Sequence, residues 1–402
     1  MGGKYYVLTA KTSAGKTISL ITFSKEKIAK LRECEQFFCP DCGERVIIRS
    51  GPKTMPHFAH QRHSSCRYGR GGESAYHEAG KIAIYRWLQQ QGIDCEVEKY
   101  IAETKQRADV FATVGNRAFA FEFQCAKIPL TQMEARHARY LSTETTPIWM
   151  LSDRMLRTYS STTLHVNSFI LSFIHFFKHR NGTSLYFLCP NKKRLTVVQN
   201  IMLLSQRKAA AHIRSYPLRT LLFAMLFSRA NVQNEQLMSH WLRAKRQLRL
   251  ARTNYSGKEL AWRKWLYERR FFVETLPSVI YMPTHWNVVF SVSPWIWQSV
   301  CVIHLLECLP IGARLSVFQA YELVKRYVYN TSSRKQLFHQ FAIDSLECYF
   351  TLLVREKLVR KIGARTYEKI ADVPRYRNVE EALRGDAEVL KRFMYNHNEG
   401  NV

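Results

Sequence analysis

Two groups of residues in this chain have the types and spacing that chemistry needs. Asp109 lies in Arg-Ala-Asp-Val (107–110), and Glu122 and Gln124 lie in Phe-Ala-Phe-Glu-Phe-Gln (119–124), beyond a two-residue turn at Gly115–Asn116. Gly and Asn tolerate the positive φ of a tight hairpin turn. Alternation sends Phe119, Phe121 and Phe123 to one side and Ala118, Ala120, Glu122 and Gln124 to the other, so folding back brings Asp109 near Glu122. Two adjacent carboxylates repel unless a cation joins them, and Mg²⁺ or Mn²⁺ is the usual choice for oxygen ligands. The plainer alternative is a solvated strand face with two surface acids. The second group is Cys39-Pro-Asp-Cys42-Gly, followed by His57-Phe-Ala-His60 and Cys66. Four soft or borderline ligands close a tetrahedral structural zinc site, and Cys39, Cys42, His60 and Cys66 are the expected set, with His57 as substitute for His60. A redox CxxC would open a helix in a βαβ setting, whereas this pair precedes the strand-like Arg45–Arg49. With no ligand position left open, the zinc would hold together a module too small to bury enough apolar surface alone.

The elements that must position the acids can be read on either side of them. From Glu73 to Gln91 the apolar residues Ile82, Ile84, Tyr85, Trp87 and Leu88 mark an amphipathic helix. Glu73, His77 and Lys81 recur every four residues and share its polar face. Strands at Cys95–Ile101, Gln106–Val114 and Arg117–Ala126, a helix near Leu130–Leu141 and a strand at Pro147–Leu151 complete an αβββαβ order. An α/β core of this order, with acids at these places, resembles the PD-(D/E)XK nuclease core over roughly residues 73–151. That resemblance implies a phosphodiester-hydrolysing site of Glu73, Asp109, Glu122 and Gln124, supported by His77 and Lys81. Its last position usually holds Lys, and a Gln supplies no positive charge. Lys81 is one candidate for a relocated cation, and His77 for orienting water or binding phosphate.

The zinc knuckle, His-Phe-Ala-His, the Glu73/His77/Lys81 helix and the Asp109…Glu122-Phe-Gln124 hairpin, in that order over residues 37–125, resemble the competence protein CoiA-like family. The resemblance implies a cytoplasmic protein of DNA-uptake-competent Gram-positive bacteria, acting in processing or recombination of incoming single-stranded DNA. A recombinase and other transformation proteins are then the implied partners.

Composition agrees with a nucleic-acid partner. The formal net charge is +28 on 402 residues, and such a field attracts polyphosphate. Between Ile201 and Arg270 there are 15 Lys or Arg and 3 acids. Within that stretch, Trp241–Arg252 reads as a helix whose exposed face carries Arg243, Lys245, Arg246, Arg249 and Arg252, followed by Arg263 and Lys264 beside Trp262 and Trp265. These residues are the expected DNA-backbone track, the alternative being a solvated basic helix.

Three of the ten cysteines belong to the zinc set, and the other seven are scattered through apolar segments, as in a reducing compartment. The first residues lack a signal peptide's apolar core, and Phe169–Phe177 is too short to span a bilayer, so a soluble, intracellular protein without stable membrane insertion is expected. The expected organisation is a β-rich lead-in (1–36), a zinc module (37–70), a glycine joint at 69–72, the nuclease-like core (71–152) and a mostly helical basic region (153–402). Strands are expected at Phe169–Phe177, Ser184–Cys189 and Leu195–Gln199, with helix dominating from Val198 onward. Three helix-like segments and a basic hairpin within 294–370 follow the order of a winged helix, though a packing bundle gives the same pattern. Two readings of function follow: a Mg²⁺- or Mn²⁺-dependent deoxyribonuclease, or a non-catalytic DNA-binding recombination mediator with a degenerate core. An RNA-directed nuclease fits the same residues.

Overall fold

The computed structural model describes residues 8–40, 42–51, 54–61, 66, 75–177, 182–228, 234–251, 255–284, 286–330 and 334–398. Glu73, Arg252 and the glycine joint at 69–72 lie outside the described residues. The chain divides into two compact units interleaved in sequence: Met1–Met155, Leu185–Val197 and Ser215–Phe227 form the first, and Leu156–Ser184, Val198–Arg214 and Ser228–Val402 the second.

The first unit begins with β1 (Thr9–Thr12), β2 (Thr17–Ser19), α1 (Lys25–Cys34), β3 (Phe37–Phe38), β4 (Arg45–Gly51) and β5 (Thr54–His60). Ser24 caps α1 by accepting from the Lys27 N–H. The strands form one sheet in the order β2-β1-β3-β4-β5. Because β1 pairs with β3 (Lys11↔Phe38), the expected division at residue 36 falls inside a single sheet. Its core of Leu20, Ile28, Phe37, Val46, Ile48 and Phe58 also takes in Cys39 and Cys66, so lead-in and cysteine-bearing segments bury their apolar area together.

The αβββαβ order follows: α2 (Ala75–Gln89), β6 (Asp94–Ile101), β7 (Gln106–Val114), β8 (Arg117–Gln124), α3 (Leu130–Leu141) and β9 (Thr146–Ser152). β6, β7 and β8 form an antiparallel meander, and α3 is the crossover that makes β9 parallel to β8. Beyond β9, the strand at Gly182–Cys189 adds in parallel (Phe187↔Leu151). Gly115 takes φ +58° in the β7–β8 turn. The phenylalanines of β8 face α2, where Phe121 meets Trp87 edge-on and Phe123 stacks on His77. Gly80 permits that approach, since a Cβ there would lie 1.9 Å from the Phe123 ring.

The second unit opens with β10 (Thr158–Ser160), β11 (Thr163–His165), α4 (Ser168–Leu171) and β12 (His175–Phe177). Residues of β13 (Gly182–Cys189), β14 (Arg194–Ser205) and β15 (Lys208–Pro217) contribute to both units. Two sequence expectations change. Phe169–Phe177 is not one strand, because Asn167 caps a turn of helix by accepting from the Ile170 N–H. Helix does not take over at Val198: β14 and β15 carry the chain to Pro217, with Ala209, Ala210 and Ala211 fully buried. Alanine reads as helical locally, but small side chains also suit a buried strand. The region from 153 to 228 is therefore rich in strand rather than mostly helical.

Helices then dominate: α5 (Asn234–Leu250), α6 (Gly257–Glu268), α7 (Pro294–Cys301), α8 (Val317–Val324), α9 (Lys335–Arg355) and α10 (Val379–Asn398). Between them, β16 (Arg314–Ser316), β17 (Val359–Gly363) and β18 (Thr366–Lys369) form a small sheet of order β16-β18-β17. Helix, strand, two helices and hairpin succeed one another over 294–369. Arg365 of the hairpin turn bonds Asp344 and Glu347 of α9, so acidic residues lie on the part of that helix not given to the core.

Candidate functional site

The cysteine–histidine set is assembled by local turns and one register. Cys39 follows β3, its N–H donating to Glu44 O while the Gly43 N–H donates back to Cys39 O, with Gly43 at φ +72°. On β5, His60 pairs with Val46 and Phe58 with Ile48, so His60 joins the face that covers the small core. His57 pairs with Arg49 and points to the other face. The period of two thus decides between the histidines. Cys39, Cys42, His60 and Cys66 bring their ligand atoms within 4.8 Å of one another, with Cys42 Sγ 3.3 Å from His60 Nε2. Burial, and then the Cys66 and Cys39 thiols, push the Cys42 thiol up to about 12, a crowding that a divalent cation relieves. Three thiols and an imidazole at this spacing fit one tetrahedral ion.

The acids gather at the open end of the β7–β8 hairpin. Asp109 lies one position beyond the last paired residues, Val110↔Phe121. Its Oδ2 accepts from the Phe123 N–H at 2.8 Å and lies 3.2 Å from His77 Nε2. The stacking of His77 on Phe123 holds that imidazole over the strand end. Glu122 points the other way across β8, toward α3, where Oε1 accepts from Arg136 at 2.6 Å and from the Tyr140 hydroxyl. Burial raises the Glu122 carboxyl to about 8; Arg136 opposes this and the Asp109 charge adds to it. Asp109 and Glu122 are therefore close enough to act on each other electrostatically.

The remaining expected residues take more fixed positions. Lys81 is not on a solvated helix face: it is 1% exposed, with Nζ 2.7 Å from Glu98 and 3.0 Å from Glu78. Glu98 also accepts from Thr9 of β1 at 2.7 Å. The Lys81 ammonium thus neutralises two carboxylates and ties α2 to β6. The Gln124 amide donates to Ala126 O. Sequence reasoning missed Arg136, Tyr140 and Glu98. The first two stand four residues apart on a helix whose position was predicted, so they share a face. Only the packing reveals which acid that face meets.

Three family models match successive segments of the chain: Competence protein CoiA, N-terminal domain, over residues 20–69; Competence protein CoiA, nuclease-like domain, over 73–231; and Competence protein CoiA, C-terminal domain, over 237–383. The chain belongs to the competence protein CoiA family. Competence protein CoiA of Bacillus subtilis (strain 168) is 24% identical over 336 residues, covering 83% of this chain and 89% of that protein. No solved structure matches.

The CoiA C-terminal match begins with α5, and there the expected cationic face changes character. Lys245 and Arg249 are buried rather than exposed. Asp386 of α10 bonds Arg249 through both carboxylate oxygens, at 2.6 and 2.7 Å, and Lys245 at 3.1 Å. Burial lowers the Lys245 ammonium to about 8, while its charge and that of Arg249 overcome burial to hold Asp386 below its ordinary value. Arg243 and Arg246 remain exposed, as does Lys264. Arg263 is half-buried, stacked 3.6 Å over Tyr255 and paired with Glu259 at 3.2 Å. Arg243 lines a groove of about 360 Å³ with Lys208 and Tyr159. Among the described residues, no helix is long and apolar enough to cross a membrane.

Proposed function

We propose that this CoiA-family protein processes single-stranded DNA entering a competent cell, as a metal-dependent nuclease with a PD-(D/E)XK-like core. Competence is the word in the names of the family and of the B. subtilis relative. The observation that carries the reading is the pair Asp109 and Glu122 at the end of one hairpin, with His77 3.2 Å from Asp109. Asp109 and Glu122 would hold Mg²⁺ or Mn²⁺, which supplies stabilisation of charge on the scissile phosphate. His77 holds the Asp109 carboxylate in one orientation, and Gln124 offers a neutral amide. Glu73 completes the acidic set in this reading. Lys81 acts by positioning α2, because Glu78 and Glu98 already engage it. Zinc on Cys39, Cys42, His60 and Cys66 is structural. The setting is the cytoplasm, with DNA as ligand and a recombinase among the protein partners.

A second reading has its own support. Arg136 and Tyr140 occupy Glu122 Oε1, and Gln124 brings no positive charge to the site. Those features suit a recombination mediator that binds DNA without cutting it. Purified full-length protein is incubated with labelled single-stranded DNA, duplex DNA or RNA, in Mn²⁺, Mg²⁺ or EDTA, beside Asp109→Ala and Glu122→Ala. The expected result is metal-dependent cleavage of single-stranded DNA, lost in both variants. Tight binding without cleavage, equal in all three proteins, establishes the mediator instead. Elemental analysis of the same preparations should find one zinc per chain, lost in Cys39→Ser.

A further inference from the structure

A groove of about 620 Å³ in the first unit has a lining unlike that of the acid site. Arg86 from α2, Lys192 and Lys193 from the turn between β13 and β14, Arg194 at the start of β14, and Arg219 from the segment after β15 all line it, and among the described residues none of its lining is acidic. Arg86, Lys192, Lys193 and Arg219 are exposed and, among the described residues, stand in no ion pair. Arg194 serves the wall itself, donating to the Ser215 carbonyl at 2.6 Å and its hydroxyl at 3.1 Å. The Leu218 N–H donates to Lys193 O at 2.9 Å, with Lys193 at φ +47°. The walls are thus stitched together, and among the described residues four like charges face one space without a counterion. That arrangement is unfavourable until an anion enters it.

The floor narrows the choice of anion. Ile82, Pro190 and Leu218 lie among the cations. A duplex presents phosphates alone to such a rim, whereas a single strand also offers sugars and bases to an apolar floor. Arg86 stands nine residues from His77 on α2, about two and a half turns at 3.6 residues per turn, so the groove and the Asp109 site occupy opposite faces of that helix.

We propose that this groove is a separate, metal-independent track for the phosphodiester backbone of single-stranded DNA. The choice of DNA rests on the function proposed above; the choice of a single-stranded polyanion rests on the groove. It would hold a strand on the far face of α2 whether or not Asp109 and Glu122 cut it.

The test is fluorescence anisotropy of full-length protein with labelled oligothymidylate in EDTA, over a salt series. Arg86→Glu/Lys192→Glu/Arg219→Glu is compared with Lys11→Glu/Lys16→Glu/Lys30→Glu, which changes net charge equally at exposed positions of the N-terminal sheet and α1. The groove variant should bind at least about ten-fold more weakly than the control. Its slope of log affinity against log salt should shrink by about 2, at about 0.7 per phosphate contact on a single strand. Equal weakening in the two variants overturns the proposal, because net charge alone then explains binding. Duplex DNA that binds as tightly and loses as much also overturns it. If the charge reversal disturbs the melting transition, Arg86→Ala/Arg219→Ala replaces it, and an unchanged affinity and slope there count against the groove. Binding is read in EDTA, where no metal-dependent cleavage runs, so a failed nuclease and a failed groove give different results.

Discussion

At the scale of single residues, Glu122 is a buried carboxyl within the proposed metal site. Burial raises its carboxyl to about 8, against the pull of Arg136 and with the help of the Asp109 charge. A carboxyl raised above its unfolded value favours the protonated fold: the stabilisation is fully present below the ordinary carboxylate range and is lost as pH rises through about 8. The urea midpoint of the unaltered protein should therefore fall between about pH 5 and 8, and the same profile should be flatter in Glu122→Gln. An unaltered protein with no slope in that window would show that Arg136 keeps Glu122 ionised throughout. Mn²⁺ binding to Glu122 would displace its proton and reduce the fall. The expected set left His57 as substitute for His60 until the β4–β5 register separated them, and Arg136 was not legible at all, because only packing brings that face of α3 against Glu122 of β8, fourteen residues earlier.

Elements carry the next set of consequences. The approach of α2 to β8 depends on Gly80, where an added methyl would meet the Phe123 ring at 1.9 Å. Gly80→Ala should destabilise the protein by about 1–3 kcal/mol, as overpacking does, and Phe123→Leu should restore part of the loss in the double variant. Denaturant melts of the three proteins check this, and additive effects would argue that the helix shifts instead. The αβββαβ order was readable because hydrophobic periodicity, the Gly115–Asn116 turn and helix length are all local signals. The strands after Val198 were not, since an Ala-rich segment takes its secondary structure from the strand it pairs with. The cationic helix α5 was readable as a helix, but the exposure of Lys245 and Arg249 was not.

Over the whole molecule, long-range pairs decide which charges stay available to a ligand. Asp386 stands 137 residues from Arg249, yet it neutralises two cations that would otherwise be buried alone. Asp386→Asn should destabilise the full chain by about 3–5 kcal/mol, read from its urea unfolding curve, because breaking a buried pair leaves uncompensated charge. A loss below about 1 kcal/mol would mean that water reaches Lys245, as for an exposed pair.

The residues alone determined the cysteine–histidine candidates with His60 or His57 among them, the acid-bearing hairpin, the αβββαβ order and the family, because each is written in short spacings and local periods. Tertiary structure decided that Arg136 holds Glu122, that Lys81 serves Glu78 and Glu98, that Asp386 takes Lys245 and Arg249 out of the basic surface, and that three separated segments make one cationic groove. For the buried pairs the physical reason is that a charge is governed by whichever group shares its low-dielectric surroundings, and sequence distance says little about that neighbour; the groove exists because the fold brings three segments to one surface.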